Sequence, residues 1–369
     1  EITTGTENTI VGGLAGDAIT IGNQNVAIGT YSLGANVAAD RNVAVGHSAL
    51  SNMTSATTSD TYNVAVGFYA GQAITSGTNN TIIGGLAGDA LTTGGSNVAI
   101  GKEALTTEDT GSRNIAIGQA ALRDLNYDGD GYNVAIGYTA GMSVTTGTQN
   151  TVIGGLAGDA LTSGAYNTVL GYKALSAEDT GGKNTAIGWN AMTNLDAGGN
   201  GNNVSVGFNS SNAMTTAVAS TIVGSEAGRA ITTGNYNTVL GYLALSSEDE
   251  GSHNVAIGYL ALEDQDAGAD AYNVAIGSSA GKQVTTGKEN IFIGGNVADS
   301  ITTGIRNVAI GHAALQTEDE HGYNVAIGNR ALQTQNAGAD AYNVAVGSNA
   351  GQAVTTGTYN TLVGGLAGD

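Results

Sequence analysis

Imidazole, thiol and paired carboxylates are the groups that most often do chemistry near neutral pH. The chain offers few of the first and none of the second. Among its 369 residues there are four histidines, His47, His253, His312 and His321, and no cysteine. No two of the histidines stand at a metal-ligand spacing. Three of them interrupt positions otherwise filled by unrelated residues, and His321 lies in the loop Glu-Asp-Glu-His-Gly at 318–322. An active site needs several different polar groups converging on one point. Isolated histidines do not supply that, so the sequence reads as a non-enzyme with no cofactor.

Carboxylates are plentiful. Asp and Glu total 31 against 11 Lys and Arg, a formal net charge of −20. They recur in two kinds of loop. One carries Glu108-Asp109, Glu178-Asp179, Glu248-Asp249-Glu250 and Glu318-Asp319-Glu320; the other carries Asp128 and Asp130, Asp196, Asp266 and Asp270, and Asp340. Oxygen-rich loops can hold calcium, and Asp128, Asp130, Asp266 and Asp270 are the candidate ligands. The full spacing of a calcium loop is missing, however. The simpler expectation is a solvated acidic edge that discourages lateral aggregation. Gly-Gly-Leu-Ala-Gly-Asp at 12–17, 84–89, 154–159 and 364–369 has a glycine-rich calcium look, but it occurs singly and drifts to GSEAGR and GGNVAD at 224–229 and 294–299. Tight corners account better for those glycines. Scattered basic residues in an acidic chain argue against nucleic acid. No run of 18 apolar residues suggests a membrane span. No signal peptide is visible, and a start at Glu1 reads as a processed chain or a fragment.

What must position any such group is a repeat. Asn, three small or β-branched residues, then Gly recurs 21 times, with Ser220 replacing Asn once. Spacings are 17, 19 or 21 residues, and from Asn63 four rungs make a 70-residue super-repeat. Counting from each Asn, position 3 is always Val, Ile or Leu and position 4 always Gly. Such a segment reads as a short strand. Side chains alternate faces along it, and both faces are apolar, so the expectation is a strand buried on both sides. A 17-residue unit cannot bury its own apolar face and must stack. The complete absence of proline suits a chain whose amides pair between layers.

The reading is therefore all-β: one parallel β-solenoid domain over 1–369, of 21 rungs in 70-residue super-repeats. At ~4.8 Å per rung it would span on the order of 100 Å. The recurring Asn, at Asn25, Asn63, Asn97, Asn133, Asn167, Asn254, Asn273, Asn307 and Asn343 among others, is expected to form a ladder of stacked amides. The alternative is a turn preference alone. Tyr often precedes the Asn, for example at Tyr62, Tyr236, Tyr272 and Tyr342; these rings either cover the rung edge or stack on sugars.

NVAIG at 25–29, 97–101, 133–137, 254–258, 273–277, 307–311 and 324–328, with Ala three residues later in most copies, resembles the head repeat of YadA-like trimeric autotransporter adhesins. With NTAIG at 184–188 it also looks like repeats of bacteriophage tail fibres. The resemblance covers the whole chain. It implies a left-handed β-roll, a homotrimer, and an extracellular place on a cell surface or virion. The rungs here are longer than in that family, and its neck, coiled-coil stalk and anchor have no counterpart in this sequence.

Two functions follow as expectations. The first is a structural fibre or filament shaft whose partner is itself. The second is an adhesin or receptor-binding fibre that recognises a surface glycan through side loops. Residues 364–369 followed by those from Glu1 complete a 17-residue rung in register, which suggests head-to-tail stacking.

Overall fold

The computed structural model describes residues 2–54 and 59–369, and among them there is no helix. Glu1, the residue on which the head-to-tail register turns, lies outside them. The chain divides into two compact units, Glu1–Asn184 and Thr185–Asp369. Each is a parallel β-solenoid.

In the first unit ten three-residue strands run from Thr9–Val11 to Thr168–Leu170; in the second, eleven run from Thr185–Ile187 to Thr361–Val363. Within a unit each strand pairs in parallel with the next. Val98, Ala99 and Ile100, for instance, face Ile115, Ala116 and Ile117. The longest rung, Asn42 to Asn63, adds a second parallel pairing, Ala39–Asp40 with Ser59–Asp60. Strand ends are fixed by glycine. Gly84 and Gly101 at position 4 have φ of 137° and 133°, a conformation that L-residues avoid. Beyond it, positions 6 and 8 are left-handed in rung after rung, including non-glycine residues such as Glu103 (φ 59°) and Leu105 (φ 54°). Such residues individually cost about 1 kcal/mol. They persist because the layers on either side fix the same turn. Leu105 N–H donates to Ala121 O at 3.1 Å, and Glu103 N–H to Gly85 O at 3.1 Å.

The core is built from the middle residue of each strand, the Ala at position 7 and an aliphatic at position 11. Ala99, Ala104, Leu105, Ile74, Leu91 and Leu125 are all fully buried. The strand centre also packs against position 8: in the rungs of Ile82 and Val152 that position is Gly88 and Gly158. A Cβ on Gly88 would stand 3.1 Å from Ile82 Cδ1. Phe292, the largest buried side chain, lies over Gly281, whose Cβ would meet its ring at 2.6 Å.

Within a single chain, burial stops at one face of the strand. The strand is not buried on both faces: its centre is sealed, but its flanking positions 1 and 3 are half-exposed, with Ile83 37% and Leu240 48% accessible. Period-2 alternation is present, yet the second face of the sheet is covered by nothing within the chain. Each unit thus carries an outer stripe of Val, Thr, Ile and Leu.

Candidate functional site: the asparagine ladder and its buried carboxylates

Asn25, Asn63, Asn97, Asn133, Asn167, Asn254, Asn273, Asn307 and Asn343 of the predicted ladder are all buried; only the end members Asn8 and Asn360 are half-exposed. The strongest links differ from simple amide-on-amide stacking. The Asn97 Oδ1 accepts the backbone N–H of Asn114 at 2.9 Å. The Asn97 Nδ2 donates to Gly111 O at 2.9 Å, three residues before the next Asn. The same clamp joins Asn63 to Asn80 and Gly77, Asn133 to Asn150 and Gly147, and Asn273 to Asn290 and Gly287. Direct amide contact is longer, 3.1–3.4 Å, as from Asn80 Nδ2 to Asn63 Oδ1 and Asn114 Nδ2 to Asn97 Oδ1.

The clamp needs a 17-residue rung. In the 21-residue rung Asn42 turns its Nδ2 back to Asp40 O, and in a 19-residue rung Asn114 turns to Ser112 O. The Nδ2 of Asn254 and of Asn324, both in 19-residue rungs, is buried without a hydrogen bond. Ser220 shows what a hydroxyl can do here: its Oγ accepts the Asn237 N–H at 3.1 Å and donates, at 3.5 Å, only to Val218 O.

Sequence reasoning missed the carboxylates inside this column. Glu108, Glu178, Glu248 and Glu318 are fully buried, not part of a solvated edge. They occupy position 11, which is aliphatic in most rungs (Ile74, Leu91, Val144). Burying a carboxylate is costly unless it is hydrogen-bonded. Glu108 accepts the Gly111 N–H at 2.7 Å and the Tyr127 N–H at 3.2 Å. Glu248 accepts Gly251 N–H at 2.7 Å, Gln265 Nε2 at 2.8 Å and Ala267 N–H at 3.2 Å. Gln265 is the position-11 residue of the next rung, and its Oε1 accepts Asn273 Nδ2 at 2.9 Å. Carboxylate, glutamine and ladder are therefore one network. The signal in the sequence was register: a Glu at one fixed position in the third rung of each super-repeat, in a column that is aliphatic in most other rungs.

The calcium candidates are not brought together. Asp130 pairs with Arg113, Asp128 accepts Thr110 Oγ1 at 2.9 Å, and Asp270 lies 3.4 Å from Tyr272 Oη. Only Asp266 joins a group, with Glu248 and Asp249, their oxygens within 4.8 Å. Glu318, Asp319 and His321 form another such group in this unit. His47 and His253 belong to aromatic stacks instead. His253 lies between Tyr236 and Tyr272 at 5.0 and 4.8 Å, nearly parallel. Tyr323, Tyr342 and Tyr359 stack similarly at 4.8 and 5.3 Å, and Arg306 lies over Tyr323. Rings stacked on one another present edges outward, which suits a cover over the rung edge better than a sugar platform. A depression of about 320 Å³ beside Asp17, Tyr31, Ser48 and Asn52 is lined without imidazole, amine or guanidinium.

Burial pushes the carboxyls of Glu108, Asp89, Asp159 and Asp299 above their ordinary values, even though hydrogen bonds to nearby backbone N–H groups pull them back. Desolvation, then the neighbouring Asp249, does the same to Asp266. Against these, Glu289 beside Arg306 is held low, in an exposed pair. An acid whose value is raised on folding binds more protons in the folded state than in the unfolded one. Stability then falls as pH rises through the window above the ordinary range near 4, and is regained on acidification. Relief of the −20 net charge acts in the same direction. The melting temperature is therefore expected to rise as pH drops from 8 to about 4.5, measured by circular dichroism; a fall over that interval would contradict the assignment.

Comparison with protein-family models found no match, and neither did comparison with curated proteins.

Proposed function

We propose that the chain is a non-enzymatic structural subunit of an extracellular fibre, self-associating through the outer face of its sheet. The observation that carries this is the stripe of half-exposed aliphatics at positions 1 and 3, repeated on every strand of each unit. A face that stays apolar through so many copies gains from being covered, and identical chains offer an identical face. A homotrimer with the three stripes inward is the arrangement that the adhesin-like repeat implies. The ladder inside each layer supplies resistance to unfolding, because every rung is held by its neighbours.

Size-exclusion chromatography with light scattering tests the reading. The chain should elute as a trimer. Ile83→Glu combined with Leu240→Glu should release monomers of unchanged circular dichroism, since an unpaired buried carboxylate costs several kcal/mol at an interface. A wild-type monomer at about 100 μM, an affinity floor near 5 kcal/mol, would remove the proposal.

A second reading, adhesion to a surface glycan, draws on the exposed aromatics that follow the strand-closing glycine. Phe68, Tyr138, Phe208 and Tyr259 are 47–57% accessible. It requires that glycan binding be lost when these rings are removed.

A further inference from the structure

The four buried glutamates are not equivalent. At the third residue after Glu108, Glu178 and Glu248 stands a glycine, and its N–H donates to the carboxylate at 2.7 Å in each case. There is no room for a side chain there: a Cβ on Gly111 would lie 2.4 Å from Glu108 Cδ, and one on Gly251 would lie 2.4 Å from Glu248 Cδ. The fourth copy breaks the rule. His321 occupies the glycine position, and the short N–H bond made to the other three carboxylates is not formed to the Glu318 Oε1. Glu318 remains fully buried, with that oxygen lacking any hydrogen bond. The His321 Nδ1 is also buried and lacks one. The two atoms are 3.4 Å apart. A carboxylate oxygen of Asp319 lies within 4.8 Å of both.

We infer that Glu318, Asp319 and His321 form a binding site for a single divalent late first-row metal ion of the zinc class. Two buried polar atoms facing one another at this distance without a well-formed hydrogen bond are unfavourable unless a proton on the imidazole or a metal cation joins them. Their separation matches a coordination sphere. Bonds of about 2.0–2.2 Å in tetrahedral geometry place neighbouring ligand atoms ~3.4 Å apart. One imidazole and two carboxylates are a zinc-type donor set; an imidazole disfavours calcium and magnesium, which take oxygen. Two further contacts fix the ligands. Gln335 Nε2 lies 3.4 Å from Glu318 Oε2, and the Glu320 N–H donates to Asp319 Oδ1 at 2.7 Å. His321 is 22% exposed at its side chain, which leaves an approach for the ion and for a water as fourth ligand.

The neighbouring acidic group gives the contrast. Glu248 has the same position, but both its oxygens are taken by Gly251, Gln265 and Ala267. It has no open donor, and its companions Asp249 and Asp266 add no nitrogen.

The test is calorimetric titration of untagged protein with zinc chloride, alongside His321→Gly and Glu318→Gln. His321→Gly restores the residue found in the other three copies, so it should fold and melt at least as high as the metal-free parent. Wild type is expected to bind one zinc per chain and to melt higher with it. His321→Gly should weaken binding ~100-fold or more, because a ligand is removed, and lose the melting shift. Calcium at hundredfold excess should not compete. No binding up to about 1 mM zinc, or equal binding by His321→Gly, would overturn the site.

Discussion

Asn97→Ala is expected to cost about 3–5 kcal/mol, because it strands two buried backbone groups at ~1–3 kcal/mol each in addition to the hydrogen bonds it removes. The groups are the Asn114 N–H and the Gly111 carbonyl, held by Asn97 Oδ1 and Nδ2 at 2.9 Å. Neither can turn to water, since Asn97 and Asn114 are fully buried. Asn97→Asp should be no better. It keeps the acceptor for Asn114 but sets a carboxylate oxygen against the Gly111 carbonyl. Asn97→Ser should fall between, near 1–3 kcal/mol, since Ser220 shows that a hydroxyl retains the bond to the next amide. Urea denaturation gives the order Asn, Ser, Ala, and amide exchange of Asn114 should accelerate most in Asn97→Ala. Equal stability of Ala and wild type would mean that the Asn column is only a turn preference.

The ladder was legible in the sequence because a hydrogen-bonding residue held at one register, copy after copy, must meet its own equivalents in the layers above and below. Its wiring was not. Whether an amide bonds the amide below, the backbone beside it or a carbonyl 14 residues on depends on how tightly the intervening turn closes. That closure is set by left-handed residues such as Leu105 and Glu103, whose side chains give no hint of it. Rung, strand and parallel stacking were legible for the same reason of register. The exposure of the outer face was not: Val98 and Ile100 are as apolar as any core pair, and hydropathy cannot say whether the cover comes from the chain itself or from another one.

The acidic loops show the complementary failure. A Glu-Asp pair beside glycine reads as solvated, and for Asp109, half-buried, that is partly so. Glu108 and Glu178 are different because position 11 points inward whatever residue occupies it. Alignment of the rungs separates the two, since Leu91 and Glu108 then fall in one column. The same alignment singles out His321, which stands where its three equivalents are glycine. Departures from a repeat carry more information about chemistry than the repeat itself, because stacking already accounts for the repeat.

Adjacent glycines give the sharpest contrast the fold offers. Gly84→Ala is expected to be among the most damaging single substitutions, at ~4 kcal/mol or more, whereas Gly85→Ala should change stability by less than ~0.5 kcal/mol. Gly84 has φ of 137°, and its added Cβ would lie 2.5 Å from Gly101 O and 2.6 Å from Gly101 C. Both are backbone atoms of the next layer. Gly101 cannot yield, since its own Cβ position is 2.4 Å from Gly118 O. Layers about 4.8 Å apart leave no space for a methyl group between facing backbones, and the strain adds to the cost of a left-handed alanine. Gly85, one residue later, has no such φ, and the nearest atom to its Cβ is Phe68 O at 4.0 Å. Urea midpoints of the two variants should therefore separate by most of the first figure. If Gly84→Ala melted with wild type, the layers would not be in contact at this column, and the parallel stacking that positions ladder and carboxylates alike would have to be abandoned.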